Sequence, residues 1–542
     1  MQYFIPAWYG QNGWMENHQA WYRSRTVTEF DDTVKQVQLF FRRHVAPFGI
    51  VLLGFSPNFR HFLHRQGVYH APYWSCFDAM QGIRSRSMRT FSFHELSWPD
   101  DVEFVYSPFA VLAMRGGEQY AQIEFGEDGN MFRVDMFSGG QRVCTNLYDD
   151  RKFVSCQVSY RDGVARVQRF FDEDGTWKFA QFLGDGHVVI NPKSAWYLHE
   201  KGDGEAEVPY QRQRYESIDD VIAEVLEDHL RDVSDQDVFT IAMHPWHSAV
   251  LSKALAGRPK VLSFFERRNG GHGLSGAGQR LLKDATCIVA DKNATADEVR
   301  RYLDGLSVPV RVITPYETRV EFGVSQHLHV QNVLVAVDAL SEERLDEVVV
   351  LLARYIQGRN HLARVCLFTR SAKYERRARL LERVQAALEA AGLDSATSAV
   401  AGRDDVSEVD ALEEGTLADA FSVSQCVDEM RVSRTIREQR VVVDLSAAPD
   451  QFLQISAMSM GIPQITTRQT EYVVDGKNGK VLKDLSGLVD AVDFYLGSVE
   501  HCNDAQIASY DLGSKFTADE LVKAWKDVIE VGQHSRAAAR QQ

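Results

Sequence analysis

Residues 29–44, EFDDTVKQVQLFFRRH, place Val34, Val37, Phe40 and Phe41 at helical spacing, with acids in the first turn and arginines in the last. That polarity suits the helix dipole and predicts an amphipathic helix. GIVLLGF at 49–55 is too short for a helix, and its apolar, β-branched character predicts a buried parallel strand. From about residue 103 the pattern changes. YAQIEF, MFRVDMF, FVSCQVSY, ARVQRFF and WKFAQFL are separated by GEDGN, SGGQ, RDG, DEDG and GDG, whose Gly and Asp residues accept positive φ. Turn signals every ten or so residues predict antiparallel hairpins through residue 195.

Beyond 216 the α/β rhythm returns. VFTIAMHPW, KVLSFF, TCIVAD and VRVIT are predicted strands, with DDVIAEVLEDHL and ADEVRRYLDGL as helices between them. A second set starts with NVLVAVD. Ser341 opens a helix with Leu345, Val348, Val349, Leu352, Tyr355 and Ile356 on one face, and RVCLFTR and VVVDLS follow as strands. Strands alternating with helices imply parallel sheets covered on both faces, and two sets imply two doubly wound, Rossmann-type α/β domains facing a cleft. The expected division is 1–102 and 196–330 for the first domain and 103–195 for an inserted β-meander. Residues 331–512 form the second domain, and 513–542 a helix packing back across the domains. In that last helix Thr517 and Glu520 fit a capping box, and Leu521, Trp525, Val528 and Ile529 share a face.

Composition narrows the function. A chain of 542 residues with 44% hydrophobic and 25% charged residues is globular and multidomain. Its formal charge of −15 disfavours nucleic acid, although GIRSRSMR at 82–89 and the arginines near 267–280 are local basic stretches. The seven cysteines include no CxxC pair, which points to a reducing compartment. The opening MQYFIPAWYG lacks the signature of a secretory signal, and no run approaches 18 apolar residues. A cytoplasmic protein is expected, touching a membrane only peripherally at its cytoplasmic face.

Candidate chemistry is sparse. GHGLSG at 271–276 matches G-x-G-x-x-G, and Asp291 follows the run CIVA. However, ERRN separates these glycines from the strand KVLSFF, so a Gly-rich loop is expected rather than a dinucleotide site using Gly271, Gly273 and Gly276. Of the histidine pairs, His61 with His64, His244 with His247 and His327 with His329, only the first has helical spacing, and none has metal-ligand neighbours. No metal, no cofactor and no catalytic residue is expected, and no G-x-S-x-G elbow occurs. Trp8, Tyr9, Trp14, Trp21 and Tyr22 crowd the N-terminus, as a packed loop over the cleft or a candidate aromatic recognition surface.

PDQFLQISAMSMGIPQ at 449–464, followed by TTRQTEYVVDGKNGKVLKD, resembles the C-terminal domain of GT-B glycosyltransferases over roughly 440–530. Active retaining members carry a pattern like E-G-F-G-L-x-x-x-E-A-M-A-x-G-x-P, then P-E-x-V-x-D-G-x-x-G. Ala457, Met458, Gly461, Pro463, Glu471, Val474, Asp475, Gly476 and Gly479 keep that frame. The two donor-binding acids fall at Ala448 and Ser456, and the glycine beside the donor phosphate at Gln451, preceded by Asp450. Carboxylates are strong acceptors for sugar hydroxyls, whereas alanine accepts nothing. The resemblance implies a vestigial ligand cleft at Gln451, Ser456 and Glu471. The Arg and Lys expected after the first strand of this domain cannot be placed in VAVDALSEERLDE, which is acidic overall.

YFIPAWYG, WYRS followed by EFDDTVKQ, the inserted meander, and HPWHS before KVLSFF together resemble the accessory secretory protein one family of the bacterial accessory Sec system. That resemblance implies a non-enzymatic, GT-B-like component of an export complex. Its implied partners are two other accessory secretory proteins, the accessory SecA motor and SecY channel, and serine-rich repeat glycoprotein cargo. The alternative is an active glycosyltransferase that modifies such adhesins from a nucleotide-sugar donor. The charged stretch 375–440 matches no recognisable pattern.

Overall fold

The protein is described from a computed structural model covering residues 1–9, 13–15, 30–126, 129–195, 210–270, 273–303, 305–321, 323–393, 399–400, 414–415 and 417–539. It divides into two compact units. One comprises 1–313 with 524–542, the other Thr314–Lys523.

The first unit contains a seven-stranded, all-parallel sheet. Its spatial order is Val310–Val312, Cys287–Ala290, Lys260–Phe264, Val238–Ala242, Gln2–Ile5, Phe48–Leu52 and Tyr73–Ser75. The continuous apolar runs in Phe48–Leu52 and Val238–Ala242 arise because helices cover both faces, and every residue of each is buried. The chain runs outward from Gln2–Ile5 in one direction, returns beside it as Val238–Ala242, and then runs outward in the other. The carboxyl ends of these two strands are thus a topological switch point, where open α/β sheets form crevices.

In the helix Asp32–Arg43, Val34, Val37 and Phe40 are buried as expected, and so are Asp32, Thr33 and Gln36, which the periodicity did not single out. Gln36 donates to Ser263 Oγ at 3.1 Å, so a polar contact inside the core accounts for its position. In the C-terminal helix, Trp525 is 2% exposed and packs edge-on against Phe4 and Phe40 of the same unit.

Ten antiparallel strands form a second sheet in this unit, in simple meander order from Val102–Tyr106 to Val188–Ile190, with Arg214–Tyr215 added last. The last strand lies well beyond residue 195. Two residues pairing with Val188 and Val189 are too short to leave a periodic signal. A buried ion cluster joins the tip between two of these strands to the α/β layer. Arg60, on the helix Phe59–Arg65, meets Asp149 and Asp150, while Arg151 meets Asp149 and Asp78.

The second unit has a six-stranded parallel sheet, ordered Phe421–Gln425, Ala363–Thr369, Gln331–Ala336, Gln439–Asp444, Gln464–Thr466 and Gly479–Val481. Ser341 caps the helix Glu342–Gly358 by accepting from Arg344 N, and all six apolar residues named from its sequence are buried. Each such burial contributes about 1.5–3 kcal/mol. Here the switch point falls between Gln331–Ala336 and Gln439–Asp444. Among the described residues no helix is long and apolar enough to cross a membrane, and no three His, Cys, Asp or Glu side chains cluster as metal ligands.

Candidate functional site: two strand-end crevices

The helix Gln451–Ser459 begins at the switch point of the second sheet. The turn leading into it is built on Asp444, which accepts from Ser446 N at 3.1 Å, Ser446 Oγ at 2.6 Å and Asp450 N at 2.8 Å. Burial raises the Asp444 carboxyl above its ordinary range, and these bonds oppose the shift. Asp450 is the N-cap. It accepts from Leu453 N at 3.0 Å and so occupies an amide that a phosphate would otherwise take.

Asp450 also holds Arg370, which follows the strand Ala363–Thr369. Arg370 Nη2 donates to one Asp450 oxygen at 3.0 Å, and Nε lies 2.8 Å from the other. The Arg370 guanidinium stacks 5.3 Å from the Phe452 ring. On the opposite lip, Asp338 accepts from Arg370 N at 2.6 Å and from Thr369 Oγ1, and lies 3.5 Å from Arg376. Where a diphosphate would need free cations, this corner offers two carboxylates and two arginines, Arg370 paired with Asp450 and Arg376 with Asp338.

Of the three predicted cleft residues, Gln451 and Ser456 lie on one helix and Glu471 on the loop that carries Tyr472. Gln451 is buried and donates through Nε2 to Tyr472 OH at 2.8 Å and Thr314 Oγ1 at 3.3 Å. Ser456 is buried within the helix, and Glu471 is half-buried on the loop before Gly479–Val481. Ala448 is exposed. Gly479 is required sterically, because a Cβ there would sit 2.2 Å from Gln464 O. Arg370 was missed from sequence. It sits 80 residues from Asp450 and follows the second strand of the sheet, whereas the cations were sought after the first.

The first sheet's switch point gathers the N-terminal aromatics. Trp8 Nε1 donates to Asp31 Oδ1 at 2.9 Å while its ring packs 4.8 Å from Phe62. Tyr9 OH lies 2.9 Å from His247 Nδ1, and the Tyr9 ring meets Trp14 edge-on at 5.4 Å. Trp14 is buried and donates to Asp219 Oδ1 at 2.6 Å. The polar tips of all three are bound inward, with only parts of Trp8 and Tyr9 exposed. Trp21 and Tyr22 lie outside the described residues.

One reading needs correction. His244 and His247 do sit at a helix start: His244 is the N-cap of Pro245–Ala254, its Nδ1 accepting from Trp246 N at 3.2 Å, and Pro245 takes the first position. Residues 273–275 have no regular structure, as expected of a Gly-rich loop, and a helix starts at Gly276, where Ser275 Oγ accepts from Gly278 N at 3.1 Å and Leu281 and Leu282 are buried. Gly271 lies outside the described residues.

Sequence reasoning also missed the group beneath these histidines. Arg268 Nε donates to Met243 O at 3.0 Å, Nη1 to Asp31 Oδ2 and Asp32 Oδ1, and Nη2 to Asp32 Oδ2 and Ser263 O. Burial, with Asp32 alongside, raises Asp31 to about 6. Burial lowers His244 to about 4 and His247 well below the usual range, so both rings are neutral near pH 7. The signal for the group was FDD at a helix start, read above only as dipole complementation.

Two parallel doubly wound sheets, an inserted antiparallel sheet, and a helix N-terminus at the second switch point define the GT-B glycosyltransferase-like class. The pneumococcal O-GlcNAc transferase GtfA, solved with UDP and GlcNAc, shares this fold with a TM-score of 0.70 at 10% identity, over 98% of this chain and 99% of that one. The family model for accessory Sec system protein Asp-one, Asp here abbreviating accessory secretory protein, matches residues 1–531. The chain belongs to that family. It is 28% identical to the Streptococcus gordonii accessory Sec system protein of this name over 533 residues, covering 97% of this chain and 98% of the relative. It also matches a chain of the crystal structure of accessory secretory protein 1, 2 and 3 in Streptococcus pneumoniae with a TM-score of 0.78. That match has 26% identity and covers 99% of this chain and all of the other.

Proposed function

We propose that this protein is a non-catalytic, GT-B-like component of an accessory Sec export complex. It binds two other accessory secretory proteins and acts with the accessory SecA motor and SecY channel. Its cargo is a serine-rich repeat glycoprotein, carried across the cytoplasmic membrane from the cytoplasmic side. The observation that carries the non-catalytic part is the self-capped donor corner. Asp450 both ends the helix Gln451–Ser459 and holds Arg370, so the groups that would bind a sugar nucleotide are used to bind each other. Family membership over 1–531 supports the part in export. The partly exposed faces of Trp8 and Tyr9 are candidate contacts for cargo.

Affinity purification of the tagged chain at native expression level tests the reading. Two further accessory secretory proteins are expected in stoichiometric amounts. Recovery of the chain alone, or transfer of sugar from a nucleotide donor by the purified protein, would overturn it.

A further inference from the structure

The first unit holds a cavity of about 230 Å³ on the carboxyl side of Val238–Ala242 and Lys260–Phe264. The start of Pro245–Ala254, the segment Gly273–Gly278 and the helix Asn293–Leu303 enclose it. Gly273, Leu274 and Ser275, from the described part of the G-x-G-x-x-G stretch, line one side of it. The volume is below the roughly 300–1,000 Å³ of pockets for drug-sized ligands. It suits one small ring.

The lining decides the chemistry. Among the described residues Arg268 is its one cationic side chain, and all five guanidinium N–H groups have acceptors within the protein. Glu298 adds a carboxylate on the opposite wall, and Ser275 caps the adjacent helix. An anion would meet no free cation and one repelling charge. His244 Nδ1 accepts from Trp246 N, so the neutral ring carries its proton on Nε2, as a donor. Glu298 and Tyr302 lie one turn apart on the same helix, offering a strong acceptor and a phenol with an aromatic face. Met243, Phe264, Leu274 and Val299 supply apolar contact. Polar groups around the edge of an apolar pocket match a ring that has hydroxyls at its rim and C–H groups on its faces.

We propose that this cavity is a recognition site for a single neutral pyranose ring, with Glu298 accepting from sugar hydroxyls and Tyr302 packing on the ring. The proposal rests on the reading above that the cargo is glycosylated, and it assigns the sugar to the first unit rather than to the closed donor corner of the second.

Saturation-transfer NMR on the full chain tests it with free N-acetylglucosamine and methyl glucoside as probes, and with UDP and inorganic phosphate as counter-probes. Saturation of at least one sugar at millimolar concentration is expected, weakened at least about tenfold by Glu298→Gln, which removes a charged acceptor, and reduced by Tyr302→Ala. Neither counter-probe should compete. Both variants should keep the wild-type circular dichroism and still recover the two partner proteins, which separates this proposal from the export reading. No sugar signal, a signal unchanged in both variants, or displacement by UDP or phosphate would overturn the sugar site while leaving complex assembly to be judged by its own assay.

Discussion

Arg60→Met tests how the inserted sheet is fixed to the α/β layer of the first unit. The Arg60 side chain is 3% exposed, and those of Asp149 and Asp150 are 1% and 2%. Its guanidinium pairs with Asp150, donates to Pro57 O at 2.8 Å and Tyr73 OH at 3.1 Å, and lies 3.4 Å from Asp149. Methionine keeps the length of the side chain but leaves Asp150 with only the His61 amide at 3.2 Å, whereas Asp149 retains Arg151 at 2.7 Å. Breaking a buried pair on one side costs about 3–5 kcal/mol, because one charge stays buried without its partner. That is a large share of a stability of about 5–15 kcal/mol.

The two units need not unfold together, so hydrogen exchange read by segment is the appropriate assay. Amides in Gln141–Asp149 and Phe153–Arg161 should exchange roughly two to four orders of magnitude faster, the equivalent of that free energy. Strands of the second unit should be unchanged. The double variant Arg60→Met with Asp150→Leu should recover much of the loss, since replacing both partners of a buried pair with apolar groups is often near neutral. Less than about tenfold acceleration in the single variant, or no recovery in the double, would refute the anchoring role.

Gly479→Ala should lower the melting temperature of the second unit, because its Cβ would press on Gln464 O at 2.2 Å and Val473 Cγ1 at 2.8 Å; differential scanning calorimetry reads this, and a loss of about 1–3 kcal/mol is expected. His244, lowered to about 4 by burial, stays neutral in the fold while the unfolded chain takes up a proton below about 6.5, so its contribution to stability is lost as pH falls from 6.5 toward 4. His244→Asn keeps a side-chain N-cap and removes that proton, so denaturant titrations should show a flatter acid limb, by at most about 1.4 kcal/mol per pH unit.

Long periodic elements were legible in the sequence. The face of Glu342–Gly358, the stripe carrying Trp525 and the regular turns of the meander each repeat often enough to average out local exceptions. Gln2–Ile5 was not recognised as a central strand: four residues show no period, and the neighbouring aromatics drew attention instead. Pro245 and a histidine cap lie outside the usual Ser, Thr, Asp or Asn start, which hid the helix after His244. The donor corner was half legible. Ala448, Gln451 and Ser456 were read as standing where donor-binding groups are expected, and the Asp450 cap was foreseeable from its place before the helix. The Arg370 ion pair was not, because a contact across 80 residues depends on which strands adjoin in the sheet.

Isothermal titration of the purified protein with UDP and UDP-sugars addresses the central claim most directly. With Asp450 capping the helix and holding Arg370, no saturable heat is expected at concentrations where a sugar-nucleotide enzyme binds. Stoichiometric micromolar binding, abolished by Arg370→Ala, would show that the corner opens to a donor and would contradict the account.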